Sequence, residues 1–151
     1  MKKNLDDILL LFFSITTLFA ANVHAEYSVT NGSNCIPSGG AAFTNFIYDT
    51  TGVRNNSSLG KRVTCPVVRD NGFFIFAAEV RIAGPGSVSC YLDNISPSGG
   101  YAWWDSGSGD QFNPAFIVID YDSNPHTSYA FDCYLPVNTK IVSYEIFDSG
   151  F

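Results

Sequence analysis

Beyond residue 25 no apolar pattern repeats at helical spacing, whereas alternation with period two recurs throughout, and this is what most constrains the fold. NGFFIFAAEVRIAG, residues 71–84, is the clearest stretch: Phe74, Phe76, Ala78, Val80 and Ile82 fall on one strand face. Glu79 and Arg81 fall on the other, beside Phe73, Ile75 and Ala77, so the strand is expected to start buried on both sides and end half-exposed. Asn71-Gly72 is a hairpin signal and pairs this strand with KRVTCPVVRD, residues 61–70. Pro66 removes a ladder donor there and calls for an edge or a bulge.

Further strands read as AAFTNFIYD, SVSCYLDNI, GYAWWD, AFIVIDYD, SYAFDCYLP and KIVSYEIFD. Turn clusters separate them: TTGVRNNSSLG, AGPG, SPSGG, SGSGDQFNP and SNPH. About eight short strands at this spacing predict an all-β fold, an antiparallel β-sandwich, with the apolar AFIVIDYD strand at its centre.

The N-terminus has the layout of an export signal. Lys2 and Lys3 precede an apolar run from Ile8 to Ala21, and Val23-His24-Ala25 offers small residues at a cleavage site. Asp6 and Asp7 weaken the positive start. The run is shorter than the ~20 residues that span a bilayer. The expected division is therefore a signal peptide, 1–25, and a single β-sandwich domain, 26–151, working in the periplasm or outside the cell. Losing the leader removes two charges of each sign, so the net charge stays at −6. An acidic surface lacks the footprint for nucleic acid and gains nothing from anionic lipid. A membrane barrel is also disfavoured, because charge and polarity interrupt any continuous apolar outer belt.

An exported chain with Cys35, Cys65, Cys90 and Cys133 implies two disulfides, with three connectivities on paper. Cys90 shares a strand face with Val88 and Leu92, Cys133 with Tyr129, Phe131 and Leu135, and Cys65 with Val63 and Val67. Core-facing cysteines on two late strands can meet, which favours Cys90–Cys133 and leaves Cys35–Cys65; a shuffled pairing stays open. VTCPVVRDN, VSCYLDN and FDCYLP, with Gly52 and Asn55-Asn56, resemble a loose group of exported Gram-negative bacterial proteins with no established activity. The resemblance implies the fold and the compartment and brings no catalytic residue with it.

YAWWDSGSGDQF, residues 101–112, is the candidate binding segment. Adjacent tryptophans on a strand point to opposite faces, so they form no single flat platform. An exposed indole of Trp103 or Trp104 near Tyr101 would stack on a sugar, with Asp105 or Asp110 meeting its hydroxyls. The alternative is that both tryptophans are core and that DSGSGD is a plain loop. Calcium is a weaker reading: Asp105, Asp110, Asp120 and Asp122 would have to converge from two loops. DYDSNP, residues 120–125, fails as an EF-hand, with Pro125 and Phe131 where glycine and glutamate are required. Aspartates capping turns are the simpler account.

Catalysis is poorly served. There is no G-x-S-x-G elbow, the cysteines are committed, and His126 is the single histidine after the leader. Glu79 and Arg81 read as a solvated charge pair, and nothing in the sequence places Glu79 or Glu145 beside a second carboxylate. The expectation is a non-enzymatic exported protein that recognises a glycan or a protein, with no obligatory cofactor. A structural or assembly subunit of the cell surface or extracellular matrix is second, and a carboxylate hydrolase third.

Overall fold

The computed structural model describes residues 27–67, 74–95, 101–118 and 128–149, with backbone alone at 27–28, 74, 95, 101–104 and 148–149. The leader, Asn71-Gly72, Asp120, Asp122 and His126 lie outside the described residues. Eleven strands are described rather than eight: β1 (Tyr27–Asn31), β2 (Ile36–Ser38), β3 (Phe46–Asp49), β4 (Gly52–Asn55), β5 (Lys61–Val67), β6 (Phe74–Ala83), β7 (Val88–Ile95), β8 (Tyr101–Gly109), β9 (Ala115–Val118), β10 (Ser128–Leu135) and β11 (Lys140–Ser149). β4 lies inside a stretch that composition assigns to a turn. Among the described residues no helix is long and apolar enough to cross a membrane.

The strands form two antiparallel sheets. Sheet I runs β3-β4-β11-β6-β9, with β1 also paired to β11; sheet II runs β2-β5-β10-β7-β8. Their central strands face each other, and the rings of Phe131 on β10 and Tyr144 on β11 meet edge to face at 5.5 Å. Around them pack Val63, Ile75, Val80, Leu92, Ile117, Leu135, Ile141 and Ile146, all almost fully buried. Burial of this kind contributes about 25 cal/mol for each Å² of apolar surface removed from water.

Both disulfides are as expected, Cys35–Cys65 and Cys90–Cys133. Cys90 and Cys133 are direct cross-strand neighbours on β7 and β10. Cys35 leads into β2, which pairs with β5 beside Cys65. All four sulfurs belong to fully buried residues, so the strand-face argument from sequence points the right way.

Three sequence expectations fail for identifiable reasons. β5 and β6 form no hairpin: β5 lies in sheet II between β2 and β10, and β6 in sheet I between β11 and β9. Turn chemistry reports a chain reversal and says nothing about whether the chain returns to the same sheet. The described part of AFIVIDYD is not central. As β9 it is the last strand of sheet I, with Phe116 and Val118 exposed. Phe76, assigned inward, is 48% exposed, while Ile75 is 1% exposed. The cause is a β-bulge: Ala77 pairs with Phe147 and Ile75 with Asp148, leaving Phe76 as an extra residue that flips the alternation.

Pro66 does meet its constraint. β2 pairs with β5 only over Arg62–Thr64, so Pro66 lies past the end of β2, with Ala130 of β10 on its other side. The Pro66 carbonyl accepts a hydrogen bond from Tyr144 Oη at 2.8 Å across the sheets. Burial pushes the Tyr144 phenol up to about 12, which keeps it a donor.

Candidate functional site

The segment that composition reads as a loop is mostly strand. β8 continues through Asp105, Ser106, Gly107 and Ser108 to Gly109, paired along β7 from Val88. Its glycines serve close packing. A Cβ on Gly107 would stand 2.4 Å from the Phe116 carbonyl oxygen, and one on Gly109 would stand 2.2 Å from the Ala115 nitrogen. Backbone of β8 therefore lies against backbone of β9, and the two sheets close on each other along this side.

This geometry separates the sequence candidates. Register pairs Tyr101 with Ile95, Trp103 with Asn94 and Trp104 with Asp93. The side chains of Tyr101, Trp103 and Trp104 lie outside the described residues. Asn94 is fully buried; its Nδ2 donates to Tyr129 Oη at 3.5 Å, and its Oδ1 has no partner among the described residues. Asp105 is half-buried and opposite Leu92. From Trp103 to Gly109 the extended strand spans roughly 20 Å, and from Asp105 to Gly109 roughly 13 Å. Asp110 thus sits at the far end of the sandwich from the tryptophans, and it does not share a cation site with Asp105. Among the described residues no group of three His, Cys, Asp or Glu side chains is placed to hold a metal; Asp120 and Asp122 lie outside that set.

Asp110 organises the turn that joins the sheets. Its Oδ1 accepts from the backbone N–H of Phe112 at 2.8 Å and of Asn113 at 2.9 Å, and its own N–H donates to the Asn113 carbonyl. These backbone donors hold its carboxyl below the usual carboxylate range. The turn-capping account of this aspartate is the one realised. The capped turn displays Gln111 and Phe112, and Phe112 is 81% exposed.

Two hollows flank the turn. One, of about 380 Å³, is lined by Glu79, Arg81, Ile82, Asp110, Gln111 and Pro114. The other, of about 280 Å³, is lined by Gly84, Gly86, Ser87, Asp110, Gln111 and Phe112. The first contains a charge cluster that sequence reasoning read only in part. Glu79 and Glu145 are directly opposite on β6 and β11, and one guanidinium bridges them. Arg81 donates Nε to Glu79 at 2.8 Å and Nη2 to Glu145 at 3.2 Å. The hydrogen bond to Glu79, then the charges of both carboxylates, push Arg81 further up. Glu145 is 7% exposed, so the expected solvated pair is a half-buried triad. A hydrolytic carboxylate pair needs one member free to hand a proton to a leaving group. Here the facing oxygens are both held by the same side chain.

Beside the triad, on the outer face of sheet I, the rings of Phe76, Phe147 and Phe116 form a row with neighbouring centroids 6.2 Å apart. They roof Ala77, which is only 3% exposed, and Val118 stands next to them at 62% exposed. No signal in the sequence marks this row, because it depends on the bulge at Phe76 and on three strands being neighbours. No family model and no curated protein matches the chain.

Proposed function

We propose that the chain is an exported, non-enzymatic binding or interaction protein of the periplasm or the extracellular space. The contact site is the turn at residues 110–114 with the adjoining end of β6. The carrying observation is the Asp110 turn, which stands between two hollows and presents Gln111 and an 81% exposed Phe112 to solvent. A turn whose backbone is already hydrogen-bonded internally loses little further backbone freedom on binding. Glu79 and Asp110 bring acceptor oxygens to the larger hollow, and Arg81 brings N–H donors. Phe112 offers an apolar ring to the C–H face of a sugar or to an apolar side chain of a protein. Formed disulfides suit a compartment outside the cytoplasm, and the resemblance to exported Gram-negative proteins points the same way.

Amide chemical-shift mapping tests this reading against a panel of neutral oligosaccharides and short peptides. Shifts are expected at 79–82 and 110–114, and Phe112→Ala, which removes no buried contact, is expected to abolish them. A panel that shifts nothing there, or shifts only the first residues of β8, would reject this site.

A further inference from the structure

We infer that the ligand of the 110–114 site is a protein segment presenting a basic side chain, arginine or lysine, with an apolar neighbour. This rests on the ligand site proposed above and names what that site selects. Glu79 and Asp110 line the larger hollow, Glu145 stands opposite Glu79 on β11, and Arg81 bridges the two glutamates. Three carboxylates against one guanidinium leave this corner two charges negative. The other described cations lie elsewhere. Lys140 is paired with Asp49, Arg54 stands on β4 two strands from β6, and Lys61 and Arg62 belong to β5 in sheet II. The chain's net charge of −6 adds to the same field at longer range.

Geometry narrows the cation. A metal ion finds no seat here, because among the described residues no three His, Cys, Asp or Glu side chains converge. The facing oxygens of Glu79 and Glu145 are also held by Arg81 already. Two oxygens are left to a ligand. Asp110 caps its turn through Oδ1 and Glu79 meets Arg81 through Oε1, so among the described residues Asp110 Oδ2 and Glu79 Oε2 accept no hydrogen bond.

Apolar surface surrounds these acceptors. Ile82 and Pro114 line the same hollow, and Phe116, 50% exposed, stands directly opposite Glu79 on β9. Across Asp110, the exposed Phe112 lines the smaller hollow. Arginine and lysine lay an aliphatic stem along apolar surface and keep the charged head at polar groups. An aromatic face attracts that head as well. A neutral sugar would gain from the rings and nothing from the excess charge, and an acidic ligand would be repelled.

Amide chemical-shift titration with three blocked peptides of equal length tests the inference. One carries arginine beside leucine, the second has citrulline in place of the arginine, and the third has glutamate there. The arginine peptide is expected to shift amides at 79–82 and 110–114, with the citrulline peptide at least about tenfold weaker. The glutamate peptide is expected to leave those amides unmoved, and added salt to weaken the arginine complex. Gln111 is exposed beside both hollows, and the turn is capped through its neighbours Phe112 and Asn113. Gln111→Glu is therefore expected to tighten the arginine peptide and Gln111→Lys to weaken it, each by about twofold to fivefold. Equal binding of the arginine and citrulline peptides overturns the inference, as does a change in the same direction for both Gln111 variants. Neutral oligosaccharides that shift these amides where the arginine peptide does not also overturn it, and leave the site standing. Silence from both at 79–82 and 110–114 rejects the site and the inference with it.

Discussion

Lys140 shows what a single residue must satisfy to be buried while charged. It is 5% exposed at the start of β11, and its ammonium donates to both carboxylate oxygens of Asp49 and to the hydroxyl of Thr51. That hydrogen bond, with two more from Thr51, holds the Asp49 carboxyl well below the usual carboxylate range. A carboxyl depressed in the folded state stabilises above its unfolded value of about 4 and loses that contribution as pH falls further. Asp110 acts in the same direction through the backbone donors of its turn. Asp93 acts oppositely: burial, then the neighbouring Asp132, push it up, so its ionisation costs stability as pH rises and protonation returns it. Two depressed groups against one raised group predict an acid limb. The melting temperature should hold steady from pH 7 to 5 and fall below about pH 4. Asp49→Asn should lower the neutral-pH plateau and shorten that limb. A melting temperature that rises on acidification would mean that Asp93 dominates.

Strands in this protein are adjusted by small residues and irregularities rather than by propensity. The extra residue at Phe76 turns Ile75 into the core and places an aromatic ring on the outer face, a change that alternation alone cannot anticipate. Gly107 and Gly109 show the other limit of composition. Glycine and serine usually mark a loop, but here glycine lets β8 lie against β9. Gly107→Ala would push a methyl group into the Phe116 carbonyl and the Ile117 side chain. Overpacking of this kind costs about 1–3 kcal/mol. Urea unfolding should show a loss of that size, and an unchanged midpoint would mean that β8 does not lie against β9.

For the whole molecule, the two disulfides close loops of 30 and 43 residues. In the chain-entropy model each stabilises by roughly 4 kcal/mol. Cys90–Cys133 ties two strands already paired in sheet II, and Cys35–Cys65 fastens the short edge strand β2 to β5. Removing either bridge as a Cys→Ala pair should lower the unfolding free energy by about 2–4 kcal/mol. Reducing both should bring the melting temperature down by more than either alone. A reduced chain as heat-stable as the oxidised one would show that the core holds the fold without them. Asn55 makes a further tie between the sheets. Fully buried on β4, it donates from Nδ2 to the carbonyls of Leu59, Leu135 and Pro136.

The sequence by itself determined the all-β class and the strand faces of Val88, Cys90, Leu92, Phe131 and Cys133. Those depend only on alternation along one strand, and those faces favoured the disulfide pairing that the structure then fixed. It also marked Asp110 as a turn former, since a short carboxylate capping nearby N–H groups is a local event. The tertiary structure alone decided which strands are neighbours. Asn71-Gly72 gives no indication that β6 pairs with β11 and β9, and AFIV does not show that it ends a sheet. For the same reason the candidate site moved. Trp103 and Asp110 are close in sequence but kept apart by an extended strand, whereas Glu79, Arg81 and Glu145 meet only because β6 and β11 pair in one register. Alternation fixes which way a side chain points, and long-range pairing fixes what it points at.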